Sequence, residues 1–118
     1  MLMNEFYTIS EVQQGEASIS GIINFSPDHE IFSGHFPGQP VVPGVCMMQI
    51  VKELLQGHLH CKLLLKATGQ VKFLQLLAPD TKPEVSISWQ VSNSTYIVNA
   101  VFRNGGDAFK LGGTYEIV

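Results

Sequence analysis

One segment of this sequence is predicted to form a helix that the rest of the protein buries on almost every side. It begins at Pro43, whose fixed φ suits a first helical position, and is predicted to end near Gln56, because Gly57 is a natural C-terminal stop. Its polar residues, at positions 49, 52, 53 and 56, follow the spacing i, i+3, i+4 and i+7 and form one narrow stripe. The rest of the helix surface is apolar, so the flanking segments must cover it.

Those flanking segments read as strands. The clearest is residues 84–92, where Val85, Ile87, Trp89 and Val91 alternate with polar side chains. The sequence therefore predicts an α+β fold, with an antiparallel sheet wrapped around one long helix, in a single domain over residues 1–118. The predicted strands are residues 6–12, 17–25, 62–77, 84–92, 95–102 and 108–118.

Composition excludes several classes of protein. A net charge of −3 argues against a nucleic-acid-binding module, and no run of about 18 apolar residues exists to span a membrane. Charged residues make up only 14%, against roughly 25% in typical soluble domains, so the chain is either sparingly soluble or has part of its surface buried against a partner. The N-terminus does not resemble a signal peptide, and Cys46 and Cys61 form no disulfide framework, so a cytoplasmic location is expected.

A rigid loop precedes the helix. Residues 33–45 contain three prolines and three glycines, and they present His35 just before the helix start. The free backbone N–H groups of Gly44 and Val45 are suited to bind a carbonyl oxygen that gains negative charge. This combination suggests a histidine acid–base group beside an oxyanion site.

Residues 34–45 read Gly-His-Phe-Pro-Gly-x-Pro-x-x-Pro-Gly-Val, which resembles the signature of the β-hydroxyacyl-acyl-carrier-protein dehydratases of the FabZ and FabA type. Residues 71–73, Val-Lys-Phe, followed by Ala-Pro-Asp at 78–80, are similar to a second segment of that family. The resemblance implies a hotdog fold and a dimer or larger assembly. It also implies sites built from two subunits, with His35 of one subunit facing position 49 of the other.

The resemblance also implies roles for individual residues. His35 would be the catalytic base or acid, and the amides of Gly44 and Val45 would polarise the thioester carbonyl. The family's carboxylate lies fourteen residues after the histidine, where this chain has Gln49. Glutamine can bind a hydroxyl group or a water molecule but cannot donate a proton at neutral pH. Glu53, one helical turn further on, would replace the acid only through a relaying water or a more deeply seated substrate.

The predicted function is that of a (3R)-hydroxyacyl thioester dehydratase-like protein of fatty-acid or related acyl-chain synthesis. The acyl chain would lie in an apolar tunnel lined by Phe36, Met48 and Phe73. Its carrier would be the phosphopantetheine arm of an acyl carrier protein, or coenzyme A. The predicted chemistry requires no metal and no redox cofactor.

Two alternatives stay open. The first is a non-catalytic acyl-binding protein or partner subunit, which includes a heterodimer in which a sister subunit supplies the carboxylate. The second is a hotdog thioesterase, ranked lower because Gln49 supplies neither a base nor a nucleophile. His58, His60 and Cys61 lack the paired spacing of a zinc site, and Cys46 is interpreted as a small buried apolar residue.

Overall fold

A computed structural model of the chain describes residues 2–33 and 38–118. Six strands and one long helix make up the architecture of these residues, and a single-turn helix lies between the second strand and the long helix. The elements in chain order are β1 (Tyr7–Gly15), β2 (Ser18–Phe25), α1 (Glu30–Ser33), α2 (Gly44–Leu59), β3 (Leu63–Phe73), β4 (Glu84–Ser92), β5 (Thr95–Arg103) and β6 (Asp107–Ile117).

The strands form one sheet in the order β1-β2-β4-β5-β6-β3, and every neighbouring pair is antiparallel. The last three strands in the chain, β4, β5 and β6, are neighbours in this order and form an antiparallel meander. Its first turn uses Asn93 and Ser94 at φ values of 49° and 66°, the left-handed conformation that two-residue hairpin turns favour. The two edges of this sheet are β1 and β3.

The inner face of the sheet packs on α2. In β4, Val85, Ile87 and Trp89 are buried as their alternation predicts, whereas Val91 on the same face is 61% exposed near the hairpin end. An antiparallel sheet packed on one long helix is the α+β arrangement expected of a hotdog fold. The helix contributes to the core the buried residues Cys46, Met47, Ile50, Val51, Glu53, Leu54 and Leu55. Glu53 is the one charged side chain in that set.

The helix runs past its predicted end. It continues through Gly57 to Leu59 and stops at His60, which has left-handed backbone angles of φ 55° and ψ 42°. Leu59 packs against the core, so two more helical residues gain burial. The side-chain Oε1 of Gln56 then accepts a hydrogen bond from the Leu63 amide at 2.8 Å, which links the helix end to β3.

Strand β3 is shorter than predicted. It ends at Phe73 because the amides of Leu74 and Gln75 both donate to the Ala108 carbonyl, at 2.8 and 3.1 Å, and leave the ladder. The register of β3 against β6 shifts between Thr68 and Gln70, so Gly69 lies at a bulge or irregularity of the ladder. None of the described helices is long and apolar enough to cross a membrane.

Candidate active site

The start of α2 offers free backbone donors. Pro43 has φ −63° and ψ 144°, and its carbonyl accepts the first helical hydrogen bonds, from Cys46 at 3.0 Å and Met47 at 3.3 Å. The amides of Gly44 and Val45 come before those bonds, and the described part of the chain provides no backbone acceptor for them. The helix dipole adds partial positive charge at the same place. These two amides are therefore available to a negatively polarised oxygen.

Phe73, at the end of β3, lies directly against Gly44. A Cβ atom at position 44 would collide with Cε1 of the Phe73 ring and would lie 2.7 Å from its Cζ atom. Glycine is thus required for this close approach of ring and helix. The Phe73 side chain is 58% exposed and its ring centroid lies 5.2 Å from that of Phe109. The structure brings together two residues that the sequence assigned to the site.

A pocket of about 250 Å³ runs along one face of α2. The helix contributes four residues at the spacing i, i+3, i+4 and i+7, and β3 and β6 contribute one each. The lining is mostly apolar, with a single amide that the helix presents. The lining residues are Val45, Met48, Gln49, Lys52, Leu65 and Tyr115. Val45, Met48 and Gln49 had each been predicted as site residues.

Gln49 is held by the buried carboxylate one turn later. Its Nε2 donates to Glu53 Oε2 at 3.0 Å, and Glu53 also accepts from the amides of Leu2 and Met3 and from the Tyr7 hydroxyl. Burial raises the pKa of Glu53, but the hydrogen bonds lower it further, and the net shift is downward. Glu53 is therefore ionised at neutral pH. It cannot serve as a replacement acid in that state.

Tyr115 is a pocket residue that sequence reasoning missed. It is 1% exposed, and burial raises its pKa to about 12, so its hydroxyl stays protonated. Alternation along β6 indicated that Tyr115 faces inward. The sequence does not predict that β6 lies close to Gln49, because this proximity depends on how the sheet wraps around the helix.

The predicted tunnel residues have different outcomes. Met48 lines the pocket, whereas Phe73 packs at the helix start and is not part of the pocket wall. His35 and Phe36 lie outside the described residues. The catalytic role of His35 and the acyl tunnel as a whole stay predictions.

Two other candidate reactive groups, Cys46 and His58, make contacts that give them structural roles. Cys46 is buried and burial raises its pKa, which keeps it a thiol and weakens it as a nucleophile. His58 lies edge-on to Trp89 at 5.1 Å and exchanges a 3.0 Å hydrogen bond with Gln14. Within residues 2–33 and 38–118, no cluster of three or more His, Cys, Asp and Glu side chains is arranged to hold a metal ion.

A larger groove, of about 590 Å³, lies on the face of the sheet away from α2. Its polar lining includes Ser20, Ser86, Ser88 and Asn99, which alternate with the buried residues of the same strands. It contains none of the residues at the helix start. The smaller pocket is the better candidate for chemistry, because it combines Gln49 with Val45 of the first helical turn.

Comparisons with known proteins agree with this architecture. The model of the ApeI-like family, described as ApeI dehydratase, matches residues 11–109. The 3-hydroxyacyl-[acyl-carrier-protein] dehydratase FabZ of Clostridium acetobutylicum is 30% identical over 78 residues, which cover 60% of this chain and 55% of that protein. FabZ of Moorella thermoacetica is 44% identical over 46 residues, which cover 39% and 32%. The chain thus matches about half the length of the first relative and a third of the second.

Solved structures establish the fold. The dehydratase heterocomplex ApeI:P from Xenorhabdus doucetiae superposes with a TM-score of 0.80 at 21% identity, covering 94% of this chain and 96% of that one. A hypothetical thioesterase with coenzyme A from Streptococcus pneumoniae gives a TM-score of 0.67 at 13% identity, covering 98% and 90%. The fold is therefore the hotdog fold. Since the family model spans most of the sequence, the chain belongs to the ApeI-like dehydratase family.

Proposed function

We propose that this protein acts on (3R)-hydroxyacyl thioesters in the cytoplasm, as a dehydratase-like protein of fatty-acid or related acyl-chain synthesis. The observation that carries the proposal is the single face of α2 on which Val45, Met48 and Gln49 border one apolar pocket. That face joins free helix-start amides, an apolar surface and the Gln49 carboxamide within two turns. A thioester carbonyl, an acyl chain and a β-hydroxyl group need these three environments.

In the proposed reaction, His35 removes the α-proton of the thioester. The carbonyl oxygen gains negative charge, which the amides of Gly44 and Val45 stabilise. The electron pair of the broken C–H bond then forms the double bond, and the C–O bond to the β-hydroxyl group breaks. The hydroxyl leaves as water, with a proton from the imidazolium of His35 or from an acid outside this chain. No metal or redox cofactor takes part in this proposal.

Gln49 binds the departing hydroxyl or a water molecule in this scheme and donates no proton. A positioned general acid contributes roughly 10²–10⁴-fold to a rate, so turnover by this chain alone is expected to be slow. The substrate is carried by the phosphopantetheine arm of an acyl carrier protein or by coenzyme A. The FabZ relatives act on substrates named for the acyl carrier protein, which favours the first carrier.

The second candidate is a partner subunit whose site is completed by another chain. It is favoured by Gln49 and by the similarity to ApeI:P, which is a heterocomplex. In such an assembly, a sister subunit would supply the carboxylate opposite His35. The unpaired edge of β3 and the exposed side chain of Leu64 on it are suited to subunit contact.

A thioesterase is the least favoured reading. Hydrolysis of a thioester needs a base or a nucleophilic carboxylate near the helix, and Gln49 is neither. Glu53 is the nearest carboxylate on α2, but both of its oxygens already accept hydrogen bonds. The similarity to the Streptococcus pneumoniae structure concerns the fold alone.

The decisive experiment incubates the purified protein with a (3R)-hydroxyacyl-carrier-protein thioester and follows water loss by mass spectrometry. Wild type is compared with His35→Ala and Gln49→Glu, and with Glu84→Gln as a matched control on the exposed start of β4. We expect slow dehydration by wild type, none by His35→Ala, a gain for Gln49→Glu and no change for the control.

Other outcomes separate the candidates. Binding of the thioester without dehydration above the His35→Ala background would overturn the enzyme and favour the partner subunit. Release of a free thiol without loss of water would favour the thioesterase. Failure to bind any acyl thioester would contradict all three.

A further inference from the structure

The Glu53 carboxylate is the most heavily hydrogen-bonded side chain of α2. It is 2% exposed, and each oxygen accepts two hydrogen bonds. Oε2 accepts from the Leu2 amide at 2.7 Å and from Gln49 Nε2 at 3.0 Å. Oε1 accepts from the Met3 amide at 2.9 Å and from the Tyr7 hydroxyl at 3.2 Å. Four donors converge on two oxygens, so the ionised carboxylate satisfies all of them. A protonated carboxyl group could donate its own O–H only if the Tyr7 hydroxyl or the Gln49 carboxamide turned to offer an oxygen.

This charge state decides which way the Gln49 carboxamide is turned. An ionised carboxylate only accepts hydrogen bonds, so the Nε2 group must face Glu53. The opposite orientation would bring the Gln49 Oε1 against a carboxylate oxygen. The Oε1 atom is consequently turned away from Glu53, and no donor for it is found in the described part of the chain.

Gln49 borders the pocket beside the start of α2. We infer that Glu53 is a positioning residue, which fixes Gln49 as a hydrogen-bond acceptor and so makes the pocket prefer acyl chains that carry a hydroxyl group. This inference rests on the proposed function and deepens it. The enoyl product lacks the hydroxyl donor, so the same arrangement favours substrate over product.

A purely structural role for Glu53 makes a different prediction. Glu53 also binds Leu2, Met3 and Tyr7, so its loss would destabilise the protein in either case. Tyr7→Phe removes one of these hydrogen bonds but leaves the bond to Gln49 in place. Ligand preference and stability therefore separate the two roles.

The test uses two pantetheine amides that differ in one hydroxyl group, 3-hydroxyoctanoyl and octanoyl, because amides resist turnover. Their dissociation constants are measured by calorimetry for the full chain. Wild type is expected to bind the hydroxylated amide roughly fivefold more tightly, the size of one neutral hydrogen bond. Glu53→Met and Gln49→Leu are expected to lose this preference. Tyr7→Phe is expected to keep it, with a lower melting temperature.

Four results would overturn the inference. If wild type binds both amides equally, or if Glu53→Met keeps the full preference, Glu53 has no positioning role, although the proposed function survives. If wild type binds neither amide, the proposed function fails and the inference fails with it. A preference that persists in Gln49→Leu but is lost in Tyr115→Phe would assign the hydroxyl contact to Tyr115 instead.

A measurement on wild type covers the case in which Glu53→Met does not fold. The side-chain amide protons of Gln49 are assigned by NMR, with Gln49→Leu identifying the resonances. One of the two protons is expected to be shifted downfield and slow to exchange, since it faces the carboxylate. Two ordinary, rapidly exchanging protons would contradict the orientation.

Discussion

Position 49 carries an amide where the family resemblance predicts a carboxylate, and the surroundings of Gln49 determine what that difference means. The amide nitrogen donates to an ionised, buried Glu53 at 3.0 Å. A carboxylate in its place would face a like charge at hydrogen-bond distance. The neighbouring residue thus determines how an acid at this position would titrate.

Gln49→Glu is therefore expected to create a coupled carboxylate pair. Repulsion from Glu53 raises the pKa of the introduced glutamate, which keeps it protonated closer to neutral pH and fit to act as a general acid. The dehydration rate of the variant should fall as pH rises through that raised pKa. A pH–rate profile between pH 5 and 9 measures this. A rate that does not depend on pH across this range would contradict the coupling.

Gly57 was predicted to stop the helix, yet it lies inside it. A Cβ atom at position 57 would meet no atom within 4 Å, and its φ is not positive. Gly57→Ala should therefore raise the free energy of unfolding by about 0.5–1 kcal/mol, because alanine loses less backbone entropy in a helix. Urea denaturation measures the change. A destabilised variant would show that the helix does not continue to Leu59.

Replacing Gly44 by alanine is expected to destabilise the protein, because the Phe73 ring occupies the space that a Cβ atom would take. Gly44→Ala must displace that ring, and the exposure of Phe73 limits the cost to about 1 kcal/mol. Most of this cost should disappear in a Phe73→Ala background, where the collision is absent. A double-mutant cycle of unfolding free energies measures the coupling. Additive effects of the two substitutions would contradict the contact.

At the scale of elements, Glu53 ties the segment before β1 to the middle of α2. This one side chain accepts hydrogen bonds from Leu2, Met3 and Tyr7. Hydrogen bonds to a charged group contribute about 1.5–3 kcal/mol each, so a single residue has a large share in holding two elements together. The arrangement also makes that junction sensitive to acid.

The pKa of Glu53 is lower in the folded protein than its ordinary value of 4.5. Its contribution to stability is therefore complete above about pH 4.5 and is lost as pH falls through the lowered pKa. Glu53→Met should be less stable than wild type by about 2–3 kcal/mol at neutral pH, and the gap should narrow in acid. Melting temperatures from pH 7 to pH 3 measure the gap. A constant difference across this range would show that Glu53 does not titrate as described.

At the scale of the whole molecule, the low content of charged residues fits the proposal that part of the surface is covered by a second subunit. Exposed apolar side chains occur around β3, with Val45 74% exposed at the helix start and Leu64 half-exposed on the strand. The unpaired edge of β3 lies beside them. Pairing of two such edges would cover both the backbone groups and the apolar side chains.

The protein is accordingly expected to sediment as a dimer of about 26 kDa or a larger assembly. Leu64→Lys should weaken that assembly by placing a charge at the edge strand. Val91→Lys is the control, because Val91 is also an exposed apolar residue, 61% against 50% for Leu64, but lies at the hairpin end of β4 and not on the β3 edge. Analytical ultracentrifugation measures both variants. A monomeric wild type would contradict the edge-pairing proposal.

Much of this fold was predictable from local patterns. The period-2 alternation of residues 84–92 identified β4, because strand periodicity is encoded in neighbouring residues. The apolar circumference of α2 predicted a sheet wrapped around it. The helix end was placed too early, since the packing of Leu59 on the core outweighs the helix-stopping tendency of Gly57.

The sequence by itself determined the α+β class, the one long helix, the family resemblance and the amide at position 49. Only the tertiary structure decided what surrounds that amide. Tyr115 lines the same pocket, and Leu2 and Met3 hold the carboxylate that orients Gln49, although all three are distant from it in the chain. The physical reason is the distance along the chain over which each interaction acts. Helix and strand preferences act over a few residues, whereas the charge and orientation of a buried group depend on every element that folds against it.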